Sequence, residues 1–330
     1  DLNELKSRRI CYIIDSLKNK EELKLLRNVY REMFYLFSIF SPRHEREENL
    51  KNKYKLAPDE INSLIKTDQY EDSIEFGQDV RNTFIEGDFF VRVTKKVKKE
   101  NNQYEIDKRE IENKISRYLH LIFESDIVTP LKNEMAMYEA KSAASNSACL
   151  SRQVGVSITD KEGNILSKGW NDVPKYGGNL YSEDDKNDFR CFIHKKYCRN
   201  DKVKDDVTEE ILSFIKSDIQ LKNFFDISKI EKQDGFLERL STIVRDFSRI
   251  KDLVEFSRAV HAEMHAIIVG SQLTGIKMNG GKLFSTTYPC HNCARHIIAA
   301  GISEIYYIEP YIKSLSTTLH EDAITENELE

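Results

Sequence analysis

The sequence lacks the long apolar runs, the dense cysteines and the biased composition that mark several protein classes. Its longest apolar runs, such as Met33–Phe40, fall far short of the ~20 residues that a membrane-spanning helix needs. Six cysteines in 330 residues are too few for a disulfide scaffold, so we expect a reducing, cytoplasmic compartment. With only 13 glycines and 6 prolines, the chain is neither collagen-like nor of low complexity. Fifty basic and 55 acidic residues give a net charge of −5, which argues against a surface that binds nucleic acid throughout.

The length of the chain predicts two domains, because one hydrophobic core stops growing near ~250–300 residues. A break at Thr129–Pro130 divides the sequence into residues 1–130 and residues 131–330. The first domain starts at Asp1 rather than at methionine, so we expect it to be incomplete at its N-terminus.

The first domain has the pattern of an α/β fold. Apolar segments at Arg9–Asp15 and Met33–Phe40 flank a helical pattern, which predicts two parallel strands joined by a crossover helix. A further buried strand is predicted at Asp88–Val93.

The second domain alternates helices and strands around a long charged stretch. Strand patterns at Gln153–Thr159 and Asn164–Gly169 are separated by Asp160–Gly163, a turn sequence that predicts a hairpin. Residues 177–260 are rich in charge and helical in pattern, which we interpret as an insertion. A helix then starts near His261 and is followed by a strand, a helix and a strand.

The residues that carry chemistry stand at the starts of two of these helices. His261 and Glu263 open the first helix, and Pro289, Cys290 and Cys293 open the second. One imidazole and two thiolates leave a fourth coordination position open, which is the ligand count of a catalytic zinc site. A helix start favours the thiolate forms, because backbone N–H groups and the positive end of the helix dipole point at the sulfurs.

Glu263 stands two residues from His261 and is predicted to lie beside the metal without binding it. There it can take a proton from a water that zinc has brought to a pKa of about 7, and return it to a leaving amine. The whole H-x-E…P-C-x-x-C pattern is the signature of zinc nucleobase deaminases. The alternatives are an incidental cluster of these residues and a zinc ribbon, which would show a second close ligand pair and would not need Glu263.

The flanking sequence resembles the deoxycytidylate deaminase branch of the cytidine deaminase superfamily from residue 133 to about residue 311. The matching segments are Ala140–Val156, Gly169–Asp172 and Ala299–Tyr306. The resemblance implies an α-β-α sandwich and a homo-oligomer.

The same resemblance implies substrate contacts. The family asparagine that matches Asn171 contacts the nucleoside sugar, and the turn that matches Ser145–Ser147 lies near the phosphate. Where the family usually has a basic residue in that turn, this chain has Asn146. A turn residue is the alternative for Asn171, and a helix end without a ligand is the alternative for Ser145 and Asn146.

The first domain resembles the later part of a P-loop nucleotide-kinase-like domain. The segments that carry this resemblance are Arg9–Asp15, Glu21–Tyr30, Phe37–Arg46, Gly77–Phe84 and Asp88–Val91. Fused to a deoxycytidylate deaminase half, such a domain resembles the antiphage deoxycytidine nucleotide deaminases. That family implies depletion of dCTP and dCMP during infection and restraint by a small RNA. The chain has no complete G-x-x-x-x-G-K-[ST] motif, so either the phosphate loop precedes Asp1 or this domain binds no nucleotide.

A second metal site is predicted within the insertion, where Cys191, His194 and Cys198 follow one another at short spacing. Related deaminases carry a structural zinc in this region. The fourth ligand is not evident, and ordinary half-buried thiols are the alternative.

The sequence favours one function and leaves two others open. The favoured function is zinc-dependent, hydrolytic deamination of dCTP, dCMP or both to the uracil nucleotides. The first alternative is a cytosine deaminase of single-stranded DNA or RNA, against which the net charge of −5 argues. The second is a non-catalytic nucleotide or RNA sensor with a zinc site, which would have no use for Glu263.

Overall fold

The structure is a computed structural model that describes residues 10–69, 77–93, 95–97, 104–106, 108–217, 236–247, 250, 253–310 and 314–326. It divides into two compact units. Unit 1 comprises Asp1–Thr129 with Glu326–Glu330, and unit 2 comprises Pro130–Thr325. No helix among the residues described is long and apolar enough to cross a bilayer.

Unit 1 mixes helices with two short sheets. Strands β1 and β2 pair in parallel, and β3 and β4 pair antiparallel. The Asn19 side chain caps the first helix by accepting a hydrogen bond from the N–H of Glu21 at 2.7 Å. In chain order the elements are α1 (Lys20–Tyr30), β1 (Phe37–Phe40), α2 (Arg43–Tyr54), α3 (Pro58–Gln69), α4 (Val80–Phe84), β2 (Phe89–Arg92), β3 (Lys95–Val97), β4 (Tyr104–Ile106) and α5 (Lys108–Ile122).

The prediction of a strand at Arg9–Asp15 is wrong for residues 10–15, the part of this segment that the structure describes. Residues 10–19 form neither helix nor strand, and the side chain of Ile13 is 93% exposed. β1 pairs instead with β2, and aromatic rings pack against the pair. The ring centroid of Phe89 lies 5.0 Å from that of Phe37 and 4.6 Å from that of Tyr118 in α5. An apolar run predicts a strand but not its partner, and here aromatic packing selects the partner.

Unit 2 is built on one four-stranded mixed sheet in the order β6-β5-β7-β8. β5 pairs antiparallel with both β6 and β7, whereas β7 and β8 are parallel. The predicted hairpin is confirmed, with the Asp160 carboxylate accepting from the N–H of Asn164 at the turn. The strands are β5 (Gly155–Thr159), β6 (Ile165–Trp170), β7 (Lys282–Thr287) and β8 (Glu304–Glu309).

Helices cover both faces of this sheet. On one face α6 (Lys132–Ala144) packs through Ala136 and Ala140 onto Phe284, which forms one buried core. On the other face α10 (Ala262–Thr274) packs onto β6 and β5, and α11 (His291–Ala299) packs beside α10 in a second buried core that includes Leu283 of β7. The mixed α/β fold that the sequence predicts is therefore confirmed for this unit.

Two glycines let the helices approach the sheet at backbone distance. A Cβ built at Gly155 would lie 2.9 Å from Cα of Ala144 in α6 and closer still to Ala140 O. A Cβ at Gly169 would lie 2.5 Å from the carbonyl oxygen of Ala262, the first residue of α10. Both distances are shorter than side chains tolerate, so glycine is required for this packing.

The predicted insertion lies between β6 and α10. Both segments in which the sequence predicts helical structure are helical, around Glu209–Ile215 and across Phe236–Phe247. Residues 218–235, 248–249 and 251–252 of the insertion lie outside the part that the structure describes. Among the described residues of unit 2, the other α-helices are α7 (Cys191–His194), α8 (Arg199–Ser217), α9 (Phe236–Thr242) and α12 (Ser316–Leu319).

Candidate active site

The candidate site lies at the sheet edge where β6, β7 and β8 end. The pairing directions send these three strands toward the same edge. His261 immediately precedes α10, and Cys290 immediately precedes α11, each in an extended backbone conformation. Cys293 lies in the first turn of α11. The N-termini of two helices therefore meet at one point of the sheet edge.

Three side chains at this point can hold a metal ion. His261 Nδ1 lies 3.5 Å from Cys290 Sγ and 3.3 Å from Cys293 Sγ. All three ligand atoms lie within 4.8 Å of one another. Ligands bound tetrahedrally to zinc at about 2.1–2.3 Å are separated by roughly 3.5 Å, so the group fits zinc as it stands. Three protein ligands leave the fourth position for water or substrate.

The three side chains of this group shift one another's pKa values. Hydrogen bonding to Cys293, with a further contribution from His261, lowers the pKa of Cys290 to about 4 against the opposing effect of burial. The same pair raises the pKa of the Cys293 thiol, and the bond to Cys290 raises the pKa of His261. The lowered pKa favours the thiolate form of Cys290, and a bound cation would displace the protons from all three ligands, since zinc binds thiolates and neutral imidazole.

Glu263 is buried beside the ligands. It lies in the first turn of α10, is 5% exposed, and its Oε2 is 3.2 Å from Cys293 Sγ. Burial raises the pKa of this carboxyl group. A carboxyl group that binds a proton readily and lies next to a metal position suits a proton shuttle.

Asn171 follows β6 directly, and its side-chain amide bonds two backbone groups of the same unit. Its Oδ1 accepts from the N–H of Val154 at 2.7 Å, and its Nδ2 donates to the carbonyl of Arg152 at 2.7 Å. The Ser147 hydroxyl donates to the Asn171 carbonyl oxygen at 2.6 Å. The structure therefore shows Asn171 holding the chain segments at this edge together.

Ser145 and Asn146 close the C-terminus of α6. The Ser145 N–H donates to the carbonyl of Ser142, and Asn146 Nδ2 donates to the carbonyl of Ala143 at 3.1 Å. These contacts are those of a helix end, the alternative considered for this turn. Through Ser147, the turn lies beside Asn171.

Asp172 is a site residue that the sequence analysis quoted but assigned no role. It is 1% exposed, and its carboxylate accepts from the N–H groups of Ala148 (2.9 Å) and Val173 (2.8 Å). Its carbonyl accepts from the N–H of Val260, the residue before the ligand His261. Its position directly after Asn171 was the available signal, because an acid at a strand end often binds loop N–H groups.

The structure does not gather the second predicted metal set. Among the residues described, only His261 and its two cysteines bring three ligand atoms together. Cys191 and His194 belong to α7, a helix of one turn, and Cys198 precedes α8. The His194 ring packs edge to face against Phe189, with the ring centroids 5.3 Å apart.

Comparison with known proteins gives the family. A profile of the cytidine and deoxycytidylate deaminase zinc-binding region matches residues 131–309, which is more than half of the chain. The chain belongs to the cytidine and deoxycytidylate deaminase family. The matched region contains the predicted zinc ligands and Glu263, so zinc is the metal that the group of ligands fits on both chemistry and family.

Individual relatives match over shorter stretches. ComE operon protein 2 of Bacillus subtilis is 44% identical over 55 residues, covering 17% of this chain and 29% of that protein. A probable deoxycytidylate deaminase of Drosophila melanogaster is 41% identical over 49 residues, covering 15% and 23%. The chain spans less than a third of the length of these curated relatives. A solved dCMP deaminase of cyanophage S-TIM5, in complex with dCMP and dUMP, is 18% identical over 61% of this chain and 98% of that one, with a TM-score of 0.33.

Proposed function

We propose that this chain is a zinc-dependent deaminase that hydrolyses deoxycytidine nucleotides, dCMP, dCTP or both, to the corresponding uracil nucleotides. The observation that carries the proposal is the buried carboxyl of Glu263 beside a three-ligand metal group. A purely structural zinc has no use for such a carboxyl. The names of the relatives support the choice of deoxycytidylate as the substrate class.

The residues of the chain divide the reaction between them. His261, Cys290 and Cys293 would hold zinc, which would supply activation of a water molecule at neutral pH. Glu263 would accept one proton of that water as the oxygen forms its bond to C4 of cytosine, and it would deliver this proton to N3. It would then take the remaining proton from the C4 hydroxyl and pass it to the C4 amine, so that the C4–N bond breaks, ammonia leaves and the C4 carbonyl of uracil remains. Burial of Glu263 holds its proton out of bulk water between the two transfers.

The sugar and phosphate of the substrate are proposed to meet the edge beside Asn171, Ser145 and Asn146. Because the Asn171 amide is engaged by Val154 and Arg152, we propose that it orders this edge as well as contacting the sugar. Asn146 offers a neutral amide, so a phosphate there would be bound by hydrogen bonds without a compensating charge.

The test compares four substrates against one matched variant. Zinc-loaded protein is incubated separately with dCMP, dCTP, deoxycytidine and a cytosine-containing DNA single strand, and uracil products are quantified. Glu263→Gln keeps the size of the side chain and removes its ability to accept a proton. We expect uracil from the nucleotides, and about 10²–10⁴-fold less with Glu263→Gln at equal zinc content. Uracil from the strand alone, or undiminished activity in the variant, would contradict the proposal.

We also propose that unit 1 is a P-loop kinase-like domain and that the protein depletes deoxycytidine nucleotides in antiphage defence, as a homo-oligomer restrained by a small RNA. The parallel pairing of β1 with β2 supports an α/β domain of this kind. The defence role is tested by measuring dCTP pools in infected cells that carry wild type or Glu263→Gln. Light scattering tests the homo-oligomer, and deamination assays with and without added RNA test the restraint. Equal dCTP pools in the two strains would refute the defence role.

A further inference from the structure

The segment that leaves β6 is an ordered hairpin, which we call the 171–181 loop (residues 171–181). Its two arms are joined by hydrogen bonds from the N–H of Tyr181 to Val173 O and from the N–H of Lys175 to Asn179 O, both 3.0 Å long. Gly177 and Gly178 form the tip. The loop starts with Asn171, the residue proposed to meet the sugar, so its placement sets one wall of the site.

His265 joins this loop to the helix that carries Glu263. The ring lies one turn after His261 on α10 and is 3% exposed. Its Nδ1 is 3.2 Å from the backbone N of Trp170, and its Nε2 is 2.9 Å from Oδ1 of Asn179. The two ring nitrogens thus contact the end of β6 and the far arm of the loop.

The partners determine where the ring proton lies. The backbone N–H of Trp170 can only donate, so Nδ1 of His265 must accept and the proton must be on Nε2. That proton is donated to Asn179 Oδ1, which also accepts from the N–H of Leu180 at 2.8 Å. A charged imidazolium would set an N–H against the Trp170 N–H. Burial lowers the pKa of His265, which also favours the neutral ring.

Asn179 is suited to its end of this contact. Its φ of +62° is in the left-handed region, which asparagine adopts more readily than most residues. The Trp170 ring packs edge to face against His265, with centroids 4.8 Å apart and planes at 88°. An apolar residue in place of His265 would fill the space but would leave the buried N–H of Trp170 without its acceptor.

We infer that His265 is a positioning residue, which as a neutral Nε2–H imidazole fixes the 171–181 loop against the start of α10. Together with the bond from Val260 to Asp172, it fastens the substrate-side loop to the metal-side helix at two points. The inference deepens the proposed function and rests on it for its kinetic consequence. Loss of the bond to Asn179 would loosen Asn171 without touching the metal ligands or Glu263.

Three variants separate the two bonds of the ring. His265→Asn puts an amide oxygen near the place of Nδ1, which keeps the acceptor for Trp170 and loses the reach to Asn179. His265→Gln puts an amide nitrogen near the place of Nε2, which keeps the bond to Asn179. Asn179→Gly keeps the left-handed backbone and removes only the acceptor.

The expected kinetic result is a split between KM and kcat. Asn179→Gly and His265→Asn should each raise KM for dCMP about tenfold, with kcat and zinc content near wild type. The double variant should be no worse than either single variant, because both remove the same bond. His265→Gln should restore the KM of wild type if it folds. Unchanged KM in Asn179→Gly, or additive losses in the double variant, would overturn the inference.

A second readout does not depend on catalysis. In the ¹⁵N-histidine-labelled chain of residues 1–330, the His265 signals are identified by their absence in His265→Asn. The inference expects a neutral ring with its proton on Nε2 at pH 7, and a shift of that nitrogen in Asn179→Gly. A proton on Nδ1, or a charged ring, would overturn it even in a protein that deaminates dCMP. Absence of any uracil product from wild type would instead count against the proposed function alone.

Discussion

Replacement of Gly169 by alanine should push the Glu263-bearing helix away from the sheet. The added Cβ would lie 2.5 Å from Ala262 O, 2.8 Å from Ala266 Cα, and closer still to the N atom of Ala266. All three atoms belong to the backbone of α10, so no side-chain rotation can relieve the contact. The helix itself must move, and His261 and Glu263 at its start move with it.

The size of the effect follows from these distances. Ordinary contact begins near 3.4 Å, so relief of the 2.5 Å contact needs a shift of about 1 Å. Overpacking of this kind costs about 1–3 kcal/mol of the free energy of unfolding, and contact with backbone favours the upper end. A displacement of 1 Å at a catalytic group lowers the rate about 10²-fold. Zinc sites tolerate deviations of only about 0.2 Å in ligand distances, so zinc affinity should fall as well.

The assay measures urea unfolding, zinc content and dCMP deamination on Gly169→Ala and a matched control. Gly275→Ala lies at the C-terminal end of the same helix, where φ is +60° and nothing lies within 4 Å of the added Cβ. It should cost about 1–3 kcal/mol through backbone strain alone, with full zinc and normal kcat. If Gly169→Ala matches this control in zinc content and kcat, the close approach of α10 to β6 does not position the site.

Three further predictions concern the fold around the site. Removal of zinc with a chelator should lower Tm in calorimetry, because the metal binds the folded chain in preference to the unfolded one; an unchanged Tm would contradict the site. Arg190→Met should lower the free energy of unfolding in urea by about 3–5 kcal/mol, because the 5%-exposed Arg190 side chain pairs with the 10%-exposed Asp188. Removal of the Glu183 side chain, which is 88% exposed, should lower it by less than ~0.5 kcal/mol. Burial alone would raise the pKa of Asp188, but hydrogen bonds from Arg190 lower it below 3.8. The stability that the Asp188 carboxylate contributes is therefore present above pH 3.8 and is lost as the pH falls through the lower pKa of the folded state. The difference in free energy of unfolding between wild type and Arg190→Met should narrow over that fall in pH. Asp172→Asn should cost about 1–3 kcal/mol, because an amide offers one acceptor oxygen to the two N–H groups that the carboxylate now serves, and equal stability would refute that role.

The metal group was predictable from sequence because each part of it is local. His261 and Glu263 share the start of one helix, and Cys290 and Cys293 share the start of another. Only the contact between the two helix starts is long-range, and the H-x-E…P-C-x-x-C pattern, which is the signature of zinc nucleobase deaminases, predicts that contact. The hairpin β5–β6 was predictable for the same reason, since the turn at Asp160 is closed by its own side chain.

The residues that the sequence did not assign act through distant partners. Asp172 binds Ala148 and Val260, which are far from it in sequence, and His265 binds a residue 86 positions away. No local pattern encodes such contacts. The pairing of β1 was missed on the same ground, because the ring of Tyr118 that supports it comes from a helix much later in the chain.

The bond between Val260 and Asp172 has a consequence for how this protein can change. It closes the insertion at its base, so that the chain leaves the sheet and returns to it at almost the same point. A segment with adjoining ends can be lengthened, shortened or exchanged at small entropic cost to the rest of the fold. The part of the insertion beyond the 171–181 loop is therefore a place where new recognition or control can be grafted beside the zinc ligands while their geometry is inherited unchanged.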